Sequence, residues 1–504
     1  GLDVARLNFS HGSPDEHRAR AELVREIAAR HGRFVALLGD LQGPKIRIAK
    51  FTDKRIKLKE GDQFRFSVTH PRDAGTQEVV GIDYPDLVKD CGVGDELLLD
   101  DGRVVMRVDN ATADELHCTV LIGGPLSDNK GINRRGGGLT APALTAKDKA
   151  DIKLAADLQL DYLAVSFPRD GADMDLARRL RDEAGSSAWL IAKIERAEAV
   201  ADDEALDGLI RASDGVMVAR GDLGVEIGDA ELVGIQKKII LHARRHNKVV
   251  ITATQMMESM ITNPIPTRAE VLDVANAVMD GTDAVMLSAE TASGKYPVKA
   301  VEAMARVVLG AEAHPAPDIS GSRSDSHFKR IDEAVAMATA WTAQRMHAQA
   351  ILALTESGSS PLMMSRVERY IPIYALTPHD RTRRRMALCR GVYPVLFRPS
   401  ADPAMWQWIA RWLRECQLDR YRANKLRMQR LAFYSRTCLH ALRAELAIEY
   451  EQSRGYLQLF RAQKDLDLAG CWTVDAMPRN LAALPDQSSL DPNADAEILG
   501  TSGT

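Results

Sequence analysis

The sequence predicts an α/β protein of several domains, built on a sheet of parallel strands that is either open or closed into a barrel. Short apolar runs recur along its middle: Tyr162–Ser166, Trp189–Ala192, Gly215–Ala219, Val249–Ala253 and Ala284–Leu287. Helical stretches separate most of them, and unbroken apolar runs mark strands buried on both faces, as parallel strands are. The chain has 504 residues, more than one domain needs, and is 45% hydrophobic, enough for more than one core. The polar, chemically loaded residues follow the strand ends, where a barrel of β/α units carries its active site.

The elements follow in order. Val4–Phe9 reads as a strand. Ser13-Pro14-Asp15-Glu16 starts a helix, with Ser at the N-cap and Pro at the first helical position, and that helix runs to about Arg30. Phe34–Leu38 is a buried strand. Residues 45–138 change character: Gln63–Val68, Glu96–Leu99 and Val104–Val108 alternate between Gly and Asp turns, as in a small all-β insertion. Gly136-Gly137-Gly138 is a hinge back to the first domain, which spans 1–44 and 139–312. Pro315 to Ser326 is a linker. Residues 327–400 form a third α/β unit, with strands at Ala350–Leu354 and Ile373–Leu376, that reads as too short to be complete. From about 402 the chain becomes helical, Arg-rich and aromatic, with Trp406, Trp408, Trp412, Tyr421, Phe433 and Tyr434. The tail from about 470 to 504 lacks periodicity and reads as disordered. The chain opens at Gly1-Leu2-Asp3 without an initiator Met, inside what reads as a strand signal, which points to an N-terminal truncation.

Bulk chemistry excludes several classes. The net charge is −4 with 27% charged residues, which suits neither a nucleic-acid nor a membrane partner. No apolar run is long enough to span a bilayer, and no segment reads as a signal peptide. The six cysteines are scattered without a CxxC pair, which fits a reducing, cytoplasmic setting and argues against a disulfide framework or a zinc site.

Lys193-Ile194-Glu195 and Arg220-Gly221-Asp222 follow neighbouring strands, so Glu195 and Asp222 project into one mouth. Two carboxylates there suit Mg²⁺, and a Lys beside them suits a transferring phosphoryl group; a rim ion-pair network is the other reading. Thr254 follows the next strand, aimed at substrate or capping a helix, while Met256, Met257 and Met260 read as core. Arg6, Asn8, Ser10 and His11 cluster after the first strand, and an Arg there suits phosphate. Asp40-Leu41-Gln42-Gly43-Pro44-Lys45-Ile46-Arg47 brings a carboxylate and two cations to the same mouth. Thr355-Glu356-Ser357-Gly358-Ser359-Ser360 leads from a strand into a helix, either an anion site or an ordinary capped start.

Taken together, these stretches resemble the pyruvate kinase family over roughly residues 1–400. Ala5–Gly12, Gly43–Arg47, Lys193–Glu195, Met217–Gly224, Ala253–Met260 and Asn263–Pro297 carry the resemblance in order and spacing. It implies a (β/α)₈ TIM-type barrel with its first strand missing, an inserted β-barrel lid over 45–138, and a truncated α/β C-terminal domain. It implies transfer of phosphate from phosphoenolpyruvate to ADP, giving pyruvate and ATP, with Mg²⁺ (or Mn²⁺) held by Glu195 and Asp222. Lys193, Arg6 and Thr254 become the catalytic group; Gly221 and Asp222 meet the substrate carboxylate. Arg47, Lys130, Asn8 and His11 face the nucleotide, with Asp101 brought in by the lid. Thr355, Ser357, Gly358 and Ser359 keep half of an effector site. Many family members bind K⁺ through residues matching Asn8, Ser10, Asp40 and the Leu41 carbonyl. Lys45 stands where those members carry Glu, so its ammonium replaces the ion and K⁺ is not required. A homo-oligomer, tetrameric in the family, is implied. The other reading is a remnant that binds phosphate ligands without turnover.

A second resemblance covers about 403–469. Arg411–Cys416, Asn424–Met428 and Gly455–Arg461 look like an internal piece of a bacterial D-amino-acid dehydrogenase. That piece lacks the Gly-rich dinucleotide fingerprint, so no flavin and no redox role are expected.

Overall fold

The computed structural model describes residues 2–314, 330–346, 348–367 and 371–397. The readings of the linker 315–326, the segment 403–469 and the tail 470–504 fall outside them. The chain divides after residue 399, and all the described residues lie before that division.

Seven parallel strands form the central sheet: β1 (Val4–Asn8), β2 (Ala36–Asp40), β11 (Tyr162–Val165), β12 (Trp189–Ile194), β13 (Gly215–Ala219), β14 (Val249–Ala253) and β15 (Ala284–Val285). They pair in chain order, as barrel strands do, with β1 and β15 at the two edges. Helix Pro14–Arg30 connects the first two. Ser13 and Glu16 cap it reciprocally and Pro14 opens it, so a local signal alone sets its start.

Between β2 and β11 lies the lid. Strands β4 (Gln63–Ser67), β5 (Val79–Gly81), β6 (Glu96–Leu99), β7 (Val104–Ala111), β8 (Glu115–Ile122) and β10 (Ile132–Arg134) form a six-stranded mixed sheet, and β3 (Arg55–Leu58) pairs with β9 (Gly124–Ser127). The inward residues Phe64, Phe66, Leu97, Leu99, Val104, Met106, Val108, Leu116 and Val120 fill its own core. A third unit holds β16 (Ile351–Leu354), β17 (Ile373–Thr377) and β18 (Val392–Leu396), all parallel.

Side-chain alternation sorts the barrel strands into two cores. Leu37, Leu163, Leu190, Val216 and Val250 pack outward against helix residues such as Ala21, Ile152, Met174, Leu206 and Ile239. Their neighbours Leu38, Ala164, Ile191, Met217 and Ile251 face inward, in one cluster with Ile351, Met363 and Met386 of the third unit. That unit therefore seals the amino ends of the strands. Asp161, just before β11, pairs with Arg384 at 2.9 Å. Asp283, just before β15, takes Arg366 Nη1 at 2.7 Å, and both side chains are fully buried. Asp283 also accepts from Val250 N at 2.9 Å and Arg390 N at 3.0 Å.

A buried pair of this kind is costly to break from one side, because the remaining charge loses its opposite charge. Arg366→Ala should lower stability by about 3–5 kcal/mol, read as a shift of the urea midpoint. An unchanged midpoint would show that the third unit is not fastened there.

Candidate active site

Period two along the strands assembles the site. Inward Leu38 is followed two residues on by Asp40, Ala164 by Ser166, and Ile191 by Lys193 and then Glu195; on β1, Arg6 lies between the outward Leu7 and partly buried Ala5. The next inward layer above the apolar core is thus charged. Asp40, 1% exposed, takes Arg6 Nε at 2.6 Å on one oxygen and stands 3.3 Å from Lys193 Nζ on the other. Lys193 Nζ also reaches Glu195 Oε1 at 2.9 Å and donates to Ser166 Oγ at 2.8 Å. Ser166 in turn donates to the Leu41 carbonyl at 2.7 Å. Glu195 Oε2 accepts the Phe167 amide at 2.8 Å, in a turn where Phe167 adopts φ +56.

Asp222 begins the next turn, on helix Arg220–Ile227, and pairs with Lys45 at 3.2 Å. Beside it, Gly221 N donates to Thr254 Oγ1 at 2.8 Å, and that hydroxyl donates to the Ala253 carbonyl at 2.6 Å. Thr254 and Gln255 take φ +68 and +54. Thr254 is therefore not a helix cap: no helix starts there, and its side chain is held in the mouth. Arg220 fixes this bend by donating to the Thr254 carbonyl at 2.6 Å and pairing with Asp273 at 2.7 Å. Positive φ at a β-branched residue is costly and persists where surrounding bonds impose it.

Charge at this mouth is mutually determined. Burial works against the Lys193 ammonium, but Asp40, Glu195 and Asp222 outweigh it and hold its pKa above the ordinary lysine range. Burial raises the Glu195 carboxyl; Lys193 opposes the rise and Asp222 adds to it. A buried carboxylate with a second carboxylate near it fits a divalent cation, which relieves that repulsion. Among the described residues no three His, Cys, Asp or Glu side chains are grouped to hold a metal unaided. Two protein carboxylates with substrate and water suit Mg²⁺ in particular.

The remaining expected residues make contacts of their own. Asn8 Oδ1 accepts from Ser10 N at 3.1 Å, and His11 is exposed. The K⁺ set of Asn8, Ser10, Asp40 and Leu41 is laced into these contacts, while Lys45 faces Asp222. Arg47 and Lys130 are engaged on the lid, with the Asn129 carbonyl at 2.9 Å and Asp100 at 2.7 Å. Asp101 follows Asp100 at φ +57. In the third unit, Thr355 Oγ1 accepts Gly358 N at 2.9 Å and Ser357 Oγ accepts Ser359 N at 3.3 Å, leading into helix Ser359–Val367. Gly358 has φ +89, and a Cβ there would sit 2.4 Å from Met386.

Sequence reasoning missed Ser166 and underrated Asp40. Ser166 was counted as the last residue of an apolar strand, although its polarity at a strand end was the same signal that singled out Lys193.

A family model described as "Pyruvate kinase, barrel domain" matches residues 1–301. The chain belongs to the pyruvate kinase family. A second model, "Pyruvate kinase, alpha/beta domain", matches 333–425 and so runs into the stretch that the sequence reading had set apart from 403 onwards. The chain is 58% identical to pyruvate kinase II of Salmonella typhimurium over 403 residues, covering 80% of this chain and 84% of that one. It is 57% identical to a pyruvate kinase of Haemophilus influenzae over 396 residues, covering 78% and 83%, and 42% identical to one of Corynebacterium glutamicum over 404 residues, covering 80% and 83%. No helix among the described residues is long and apolar enough to cross a membrane.

An ammonium held charged among carboxylates is a poor nucleophile. Acetylation by a neutral reagent at about pH 9, where an ordinary lysine begins to react, should spare Lys193 while exposed Lys149 is modified. Equal rates in peptide mass spectra would show that the carboxylate cage does not hold the charge.

Proposed function

We infer that the chain transfers a phosphoryl group from phosphoenolpyruvate to ADP, giving pyruvate and ATP. The observation that carries this is the inward layer in which Lys193, 13% exposed, is clasped by Asp40 and Glu195 with Arg6 alongside. Phosphoryl transfer asks for positioned groups that neutralise equatorial oxygens, more than for a covalent partner. Lys193 and Arg6 face the transferring group. Glu195 and Asp222 hold Mg²⁺, or Mn²⁺ in its place, which when bound supplies positive charge to the substrate oxygens. The substrate carboxylate takes the amides of Gly221 and Asp222, displacing the Thr254 hydroxyl from the first of them.

An oxygen of the ADP β-phosphate forms the new bond to phosphorus, and the bond between phosphorus and the enol oxygen breaks. The enolate left behind takes a proton at carbon on the side of Thr254. Arg47 and Lys130, with Asn8 and His11, face the nucleotide phosphates, and the lid brings Asp101 over them. Closure excludes water that would otherwise compete for the phosphoryl group.

Lys45 lies 3.2 Å from Asp222 and supplies a fixed positive charge at the mouth, so the reaction proceeds without K⁺. Nothing in the scheme calls for flavin. The turn Thr355, Ser357, Gly358, Ser359 offers hydroxyls and amides to an effector phosphate as half a site. The protein works in the cytoplasm as a homo-oligomer.

A coupled assay with phosphoenolpyruvate, ADP and Mg²⁺ should show turnover without added K⁺, and Lys193→Met should lower kcat by about a hundred- to a thousandfold, as loss of one transition-state partner does. Folded protein without turnover would overturn the reading. Lys45→Glu should make activity depend on K⁺; a variant indifferent to K⁺ would remove Lys45 from that role.

A further inference from the structure

The lid returns to the barrel through Asn133–Gly138. Gly136, Gly137 and Gly138 all have positive φ, at +79, +77 and +90. Positive φ disfavours side chains there, and a Cβ on Gly137 would also meet the Glu198 carboxylate. Two glutamates hold this arm. The Gly136 amide donates to the Glu226 carbonyl at 2.9 Å, and Asn133 Nδ2 donates to Glu226 Oε1 at 3.4 Å. The Gly138 amide donates to Glu198 Oε1, while Glu198 Oε2 is buried without a hydrogen-bond partner. The other Glu226 oxygen accepts the Ala197 amide at 2.8 Å.

Glu226 thus joins three pieces of chain: the lid arm, the turn two residues past Glu195, and its own helix, which carries Asp222 one turn earlier. Its side chain is buried, with the residue 5% exposed. A cavity of about 20 Å³ lies beside it, lined by both segments that cross between barrel and lid (Pro44–Ile46 and Ile132–Asn133) and by Phe167, Arg196 and Glu226.

We propose that Glu226 is a positioning residue for the reaction: its side chain ties the lid arm at Asn133 to the turns carrying Glu195 and Asp222. Both contacts to the carboxyl oxygens come from N–H donors, the Ala197 amide and the Asn133 side chain. The Asn133 contact is the longer of the two. Burial, above all, pushes the Glu226 carboxyl up to about 7; Glu198 adds to this, while the Ala197 amide, Asn133 and Arg196 oppose it. Lys45 is the other charged side chain lining the cavity. The rise marks the cost of holding this carboxyl under cover, which the contacts at Ala197 and Asn133 offset in part. The effect on nucleotide binding rests on the reading of the lid as the nucleotide cover.

Hydrogen exchange on the substrate-free protein tests the tie without any appeal to activity. At a fixed pH, protection at Gly136 and Gly138, corrected for intrinsic exchange, should be about five- to tenfold lower in Glu226→Gln and in Asn133→Ala than in the wild type, the worth of one hydrogen bond. In steady state the glutamine variant should raise KM for ADP about five- to tenfold, with kcat and KM for phosphoenolpyruvate nearly unchanged. Asn133→Ala, which touches only the lid side, should reproduce the rise in KM if the glutamine variant fails to fold. Wild-type protection retained in both variants, or equal losses for both substrates, would overturn the proposal. Absence of turnover in the wild type would count against the function but leave the exchange result to decide the tie.

Discussion

Everything at the mouth of the barrel depends on burying the Lys193 ammonium. An isolated charge at that depth is strongly disfavoured, so the fold must supply opposite charge before the lysine can stay protonated. Asp40 and Glu195 do so from two different strands, and each is then committed: Asp40 is shared with Arg6, and Glu195 is turned by the Phe167 amide. The arrangement carries two cations and two nearly inaccessible carboxylates in one layer. A layer of that kind is costly in a folding core but well suited to neutralising a phosphoryl group that arrives with several negative oxygens.

The same alternation that builds the apolar core delivers this layer. Inward Leu38 and Ile191 continue into Asp40 and Lys193 with no change of register, so the apolar interior and the chemistry share one geometry. The third unit closes the opposite end through Arg366 and Asp283, and the carboxyl ends stay open. Because the lid emerges after β2 and returns through three glycines, its position is set by few contacts. Those contacts fall on the turns that hold Glu195 and Asp222, so lid and site have a common support.

Much of this was legible in the chain. Apolar runs located β11, β12, β13 and β14, because strands buried on both faces leave little room for polar residues. The predicted strand Phe34–Leu38 was found at Ala36–Asp40. Gly39 and Asp40 look like a turn in sequence, yet the carboxylate is tolerated in the strand because Arg6 and Lys193 neutralise it. Thr254 was left between two roles, and only the backbone bend imposed by Arg220 decides against a cap. Glu226 and Glu198 gave no signal: a single Glu near the end of a short helix looks like any solvated charge, and its contacts come from residues 29 to 93 positions away. Family resemblance supplied the roles of the nucleotide residues, which spacing alone does not carry.

If Asp40 and Lys193 act as parts of one charged layer, their contributions cannot be separable. The most direct test is a double-mutant cycle on kcat/KM for phosphoenolpyruvate with Asp40→Asn, Lys193→Met and the pair, in variants shown to be folded. The account predicts that the double variant loses little more than the worse single one, as residues working as a unit do. Losses that add in free energy would contradict it, and would mean that the two residues act on the substrate independently.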